Sequence, residues 1–265
     1  MMRNVLQLTS LVLFLGLSSI SWSQVTISSS LPVNTFLLFE GIPLRMEVSN
    51  FSGSDLVLSE EDEANGVVFR VRDMDNQIIP RTDRPILKEP WVIPDGETSV
   101  REFDLVQLFQ IRHARSFRAL QHVETNDQLY SGPPVLFDVS RGMLVDEIKR
   151  RKENRIFSLF GLNRGGRDVL LLRVTNEDKS MTLATYYLEK HMRFYPPHMK
   201  ANKAGEVGTL HYVGPRQAVL CVFEPDGTPV KREYYQVNPG VPVRLHRHEE
   251  NGFMVEGGTP VAAGE

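Results

Sequence analysis

Two histidines and a carboxylate stand at alternate positions in Leu245-His246-Arg247-His248-Glu249-Glu250. If the segment is extended, its period of two places His246, His248 and Glu250 on one face. Two imidazoles and a carboxylate suit zinc or a similar ion with a position left open for water, the arrangement of a metal-dependent hydrolase. The same residues also suit a polar edge strand beside a turn, where charge discourages pairing with another chain. No third strong ligand stands out. The edge-strand reading is preferred, so no cofactor is expected and zinc is the alternative.

Other chemistry-bearing residues are dispersed. His113, His122, His191, His198 and His211 form no local pattern, and no G-x-S-x-G, H-E-x-x-H, C-x-x-C or dinucleotide glycine fingerprint occurs. Asn163-Arg164-Gly165-Gly166-Arg167 joins two strand-like runs and lacks the Lys-Ser/Thr and helix of a phosphate loop. The acidic stretch 59–65 has no glycine to bend it around calcium, and Asp73 and Asp75 open an EF-hand-like spacing without its glycine or distal glutamate. Asn50-Phe51-Ser52 is a glycosylation sequon, meaningful only in a eukaryotic secretory pathway. Cys221, the only cysteine, sits in the apolar run 217–223, where a buried and inert thiol is expected. No residue is assigned a catalytic role, and the chain leans away from being an enzyme.

The elements that would position these residues begin after a segment that is not fold. Arg3 precedes an apolar run over 5–20, and Ser21 and Ser23 place small residues three and one positions before a cut. Residues 1–23 therefore read as a signal peptide, with Gln24 as mature N-terminus and a periplasmic or extracellular destination. The run is too diluted by Gln7, Thr9, Ser10, Ser18 and Ser19 to read as a membrane anchor, so no span is expected after cleavage. Loss of Arg3 leaves 29 basic against 33 acidic residues, a mild negative balance that argues against nucleic acid as a partner.

About 240 mature residues suit one large or two ordinary domains, and the seam over 139–155 favours two. Asp146 and Glu147 followed by Lys149 to Lys152 would suit a helix dipole, but Leu144, Val145 and Ile148 cover barely one turn and Gly142 offers no cap. A strand over 143–148 turning at 152–154 fits equally well. An extended connector is the reading adopted, with helix or strand left open. Its basic cluster, Lys149, Arg150, Arg151, Lys152 and Arg155, is either a solvated linker or a dock for an anionic envelope polymer.

Between signal and seam, 42–50 alternates cleanly, with Ile42, Leu44, Met46 and Val48 on one face. A hairpin over 67–80 turns at 73–76, Pro94-Asp95-Gly96 is a strong turn, 103–111 reads as a short helical crossing, and 117–123 returns as a strand. This order resembles bacterial Ig-like sandwich domains of exported proteins. Phe117 stands near the place of the tyrosine corner such domains often carry, so that motif is absent. The resemblance implies adhesion, spacing or peptide-edge binding, with no catalytic residue to carry over. A fainter similarity is to small β-sandwich proteinase inhibitors of bacteria.

Beyond the seam, strands are expected over 156–162, 169–174, 182–188, 207–213, 217–223 and 230–237. Two segments about 45 residues apart, starting at Pro196 and Val241, repeat a strand, glycine turn and strand that is similar to blades of a β-propeller. The remaining length holds too few blades to close a ring. A compact sandwich or barrel is therefore preferred.

The expected fold is all-β: residues 24–140 as an Ig-like sandwich, 141–256 as a second β-meander domain, sandwich or blade-like, and 257–265 as a disordered tail. The expected function is exported, non-enzymatic binding or a structural role, with an unknown protein or envelope polymer as partner. The alternatives are the metal-dependent hydrolase centred on His246 and His248, and a protease inhibitor.

Overall fold

The computed structural model describes residues 25–261 apart from 63, 126, 127 and 249–251. The expected signal segment 1–23, Glu250 and the final four residues lie outside the described residues. The chain is all-β. No described helix is long and apolar enough to cross a membrane.

The first half runs β1 (Val25–Ser30), β2 (Thr35–Leu37), β3 (Pro43–Asn50), β4 (Leu56–Leu58), β5 (Gly66–Asp73), β6 (Trp91–Ile93), β7 (Thr98–Asp104), the helical turn α1 (Leu105–Leu108), β8 (Ser116–Glu124), β9 (Leu129–Ser131) and β10 (Val135–Ser140). Strand β3 lies between β1 and β7, and a second sheet is ordered β2-β10-β8-β5 with β9 on β8. The alternation read in the sequence has a direct cause: Leu44, Met46 and Val48 turn inward and are fully buried. They meet Phe69 and Val71 of β5 and Phe117 and Ala119 of β8 in one core drawn wholly from residues 25–139. Trp91 is buried there, donating from Nε1 to Ser99 Oγ at 2.8 Å. The hairpin expected over 67–80 is shorter than its sequence signal. Past β5 a single bridge continues it, between Arg72 and Ile78, and Asp73 accepts the Gln77 amide and pairs with Arg115.

The second half runs β11 (Met143–Arg150), a 3-10 turn (Arg151–Glu153), β12 (Arg155–Arg164), β13 (Arg167–Thr175), β14 (Thr182–Lys190), β15 (His198–Ala201), β16 (Val207–Gly214), β17 (Gln217–Phe223), β18 (Pro229–Val237), β19 (Arg244–Arg247), β20 (Phe253–Glu256) and β21 (Gly258–Pro260). The seam is thus a full strand, and Asn154 at φ 53° closes its turn into β12. The charges that would have suited a helix serve the strand and its turn instead: Glu147 accepts from Ser158 and Lys179 across to neighbouring elements, and Arg150 pairs with Glu153 within the turn.

Strands β11 to β14 form one antiparallel meander, and β15 to β18 a second that β21 extends. Phe157, Leu159, Leu170 and Leu172 on the first pack against Val207, Val219, Cys221 and Phe223 on the second. The opposite face of the second carries Leu210, Tyr212, Leu220 and Val222 and is covered by Val243 and Leu245 beside the β19–β20 hairpin. Central strands buried on both faces read as continuous apolar runs, which is why Val219 to Phe223 shows no alternation. Cys221 is buried as expected, and desolvation raises its thiol pKa. The tail expected to be disordered from Gly257 instead pairs Gly258–Pro260 with Tyr235 to Val237, because β18 would otherwise leave its ladder open there.

A tight joint marks the passage between halves. Gly142 has φ +66°, and a Cβ there would stand 2.6 Å from Leu37 Cδ1. Gly142→Ala is therefore expected to destabilise the chain by about 1–3 kcal/mol, read from urea unfolding.

Candidate functional site

Of the residues singled out for metal binding, His246 and His248 are described, and Glu250 lies outside the described residues. His246 lies within β19, and its Nε2 is engaged with Glu256 Oε2 at 2.8 Å across the hairpin. Strand β19 ends at Arg247, so His248 belongs to the turn, where its amide meets Gly252 O at 3.2 Å. His248 borders a cleft with Glu206, Lys231 and Phe253. Among the described residues no group of three or more His, Cys, Asp or Glu could hold a metal ion.

Two histidines scattered in the sequence meet inside the second half. His191 and His211 stack edge to face with centroids 6.1 Å apart. His211 is 1% exposed, and among the described residues neither ring nitrogen has a hydrogen-bond partner; the same holds for His191 Nδ1. Desolvation holds the His211 pKa down at about 3, with His191 and Arg232 adding repulsion. Alternation along β16 puts His211 on the face of Thr209 and Val207, toward the first meander. Arg232 from β18 reaches across to the Tyr187 and Leu188 carbonyls, while Tyr234 donates to Glu189 at 2.7 Å. A polar layer thus threads an otherwise apolar interface between sheets.

A second polar cluster joins the halves. Glu40 accepts from the Leu37 amide and from Arg164, each at 2.7 Å, and both side chains of the ion pair are largely buried. Arg164 lies 5.8 Å from the ring centroids of Phe36 in the first half and Tyr187 in the second. Arg173 repeats the pattern between Phe39 and Phe160 and donates to the Leu38 carbonyl. Each guanidinium is thus flanked by one aromatic ring from each half. Burial is the largest influence on both charges: it raises the Glu40 carboxyl against the pull of the Leu37 amide and Arg164, and lowers Arg173 to about 10. Phe39 has φ 67°, a conformation that costs a side-chain-bearing residue about 1–2 kcal/mol and persists only where surroundings impose it. Leu37 also packs with Leu162, Val169 and Leu171.

The loop between β14 and β15 presents the most exposed aromatic side chain among the described residues. Phe194 is 90% exposed, yet its loop is tied down: the Met192 amide donates to Tyr212 O, the Tyr195 amide to Met192 O, and Tyr195 stacks on Tyr212 at 4.2 Å. Arg193 beside it is bound to Asp168 at 2.7 Å. Tyr195 and Tyr212 continue into an open cleft of about 350 Å³ with Pro215, Arg216, Val237 and Pro242. Arg216 makes no ion pair among the described residues. Sequence reasoning passed over this loop. The signal available was Phe194-Tyr195-Pro196-Pro197, two aromatics leading into a proline pair between strands.

No protein-family model and no curated protein matches the chain. Among solved structures it aligns with an uncharacterized protein, lmo2446, from Listeria monocytogenes, crystallised with glucose, magnesium and calcium. The identity is 10% and the TM-score 0.24, over 77% of this chain. This chain spans 20% of the length of that protein. A likeness of that size carries no argument about fold or function.

Proposed function

We propose that this is an exported, non-enzymatic binding protein, working in the periplasm or outside the cell on a protein or polymer of the envelope. The observation that carries the reading is the Phe194 loop. Exposing a whole phenyl ring forfeits about 1.5–3 kcal/mol of burial that the chain collects elsewhere for its phenylalanines. Here the ring projects from a loop held by two backbone hydrogen bonds and a tyrosine stack, beside a cleft of tyrosine, proline and the Arg216 guanidinium. Rigid aromatics at low conformational cost, rimmed by polar groups, are the usual anchors of a binding face.

The clamp of Glu40, Arg164 and Arg173 supports the reading from a second side, because it sets the two cores at a fixed mutual orientation as a spacer or presenting scaffold requires. In this account the first core acts as an Ig-like support. Export rests on the pattern of residues 1–23, and the mild negative charge speaks against nucleic acid as the partner.

The test is sedimentation of the mature chain, residues 24–265, with isolated cell envelopes over a range of protein concentrations. Saturable binding is expected. Binding that only rises linearly would contradict the proposal.

A further inference from the structure

The geometry points to an acid-operated release in the second half: we propose that protonation of the His191–His211 pair parts the two meanders and frees the Phe194 loop. The pair lies between sheets, and it sits at the root of that loop. His191 immediately precedes Met192, whose amide is held by Tyr212 O, and His211 immediately precedes Tyr212, which also carries the stack under Tyr195.

The charges around the pair make the direction plain. Facing His211 are His191 just past the end of β14 and Arg232 from β18; on β17 it pairs with Val219, and the buried Cys221 thiol lies one step along the same face, opposite Thr209. The nearest carboxylates are committed elsewhere. Glu189 accepts from Tyr234, and Asp168 on β13 accepts from Arg193 and Asn163, although it also draws on His191. A proton on His211 therefore meets a guanidinium and a second imidazole, with no acceptor on either ring nitrogen among the described residues and 1% exposure to water. An unpaired buried cation of this kind opens its surroundings before it is tolerated.

The sign follows from linkage. Burial depresses both histidines below their ordinary value of 6.5, His211 to about 3. The open state then takes up protons first as pH falls through 6.5, so closed-state stability is complete above that value and is lost progressively toward 3. Each depressed histidine multiplies the open-to-closed ratio by about tenfold per pH unit within its window. The carboxylates with lowered values, among them Asp168, Glu147 and Glu233, titrate below 3.8 to 4.5, and Glu40, which burial raises, gains stability as pH falls, so from pH 6.5 to 5 the destabilising groups are the histidines. His198, beside β19, is also depressed and adds to the same half; His122 is its counterpart in the first core. The opening is independent of what Phe194 binds.

The chain carries its own reporters. Cys221 lies among the residues that bury the interface, and Trp91 belongs to the first core. The experiment follows modification of Cys221 by 4,4′-dithiodipyridine in residues 24–265 from pH 7.5 to 5, normalised at each pH to the urea-unfolded chain, with Trp91 fluorescence alongside. The normalised rate is expected to climb at least tenfold per unit below pH 6.5 while Trp91 holds its native signal. His211→Leu should flatten that climb by about tenfold per unit, and His191→Gln should flatten it less. His191→Gln serves alone if His211→Leu leaves the thiol unprotected at pH 7.5. A wild-type rate flat from pH 7.5 to 5, or a climb unchanged in the variants, would overturn the proposal.

Discussion

Arg164→Ala is expected to cost about 3 kcal/mol or more of unfolding free energy, within the range for breaking one partner out of a buried ion pair. The substitution leaves the Glu40 carboxylate inside the junction with the Leu37 amide as its hydrogen-bond donor and only the more distant charge of Arg173 to offset it, and it removes the guanidinium between Phe36 and Tyr187. Glu40→Gln should cost less. Burial already holds that carboxyl above its ordinary value, so neutralising it relieves a desolvated charge while the aromatic contacts of Arg164 stay in place. Urea unfolding of both variants measures the difference, and equal costs would show that the ion pair rather than the aromatic flanks binds the halves together.

Phe157→Ala should have an effect of similar size but confined in space. Phe157 is fully buried on β12 and meets the β16–β17 face, so its loss leaves a cavity worth about 3–5 kcal/mol. Its core shares no residue with the one around Trp91. Cys221 is therefore expected to become reactive at a lower urea concentration than in the parent protein, ahead of the Trp91 fluorescence change. A Trp91 transition that shifts by as much as the thiol would mean that the two cores unfold as one unit.

The residues that were legible in the sequence are those whose signal is local. Leu44, Met46 and Val48 alternate inward and form β3, and Leu170 to Leu172 run apolar and become part of a strand buried on both faces. The seam was ambiguous because Leu144, Val145 and Ile148 satisfy a single helical turn as well as a strand. Pairing of Leu144 with Phe160 and Ile148 with Phe157 on β12 decides it, and no window of sequence contains that information. Gly258–Pro260 shows no periodicity at all and is ordered by the open ladder of β18. The same reasoning covers the sites. His246 and His248 advertise themselves by spacing alone, yet one is engaged by Glu256 and the other lies past the end of its strand. Glu40 and Arg164 are 124 residues apart, so nothing in either neighbourhood announces the pair. His191 and His211 meet only because β14 leads across to β15 while β16 buries one of its faces against the first meander.

The binding role stands or falls on Phe194. The direct measurement compares residues 24–265 with the Phe194→Ser variant in sedimentation with isolated cell envelopes, after urea unfolding has shown the two equally stable. The side chain is exposed and touches no core, so stability should change by less than about 0.5 kcal/mol. Loss of a central aromatic anchor should weaken saturable binding by about thirtyfold or more, the size of a hot-spot truncation. Saturable binding of equal affinity in both proteins would contradict the account and send the search to another face of the molecule.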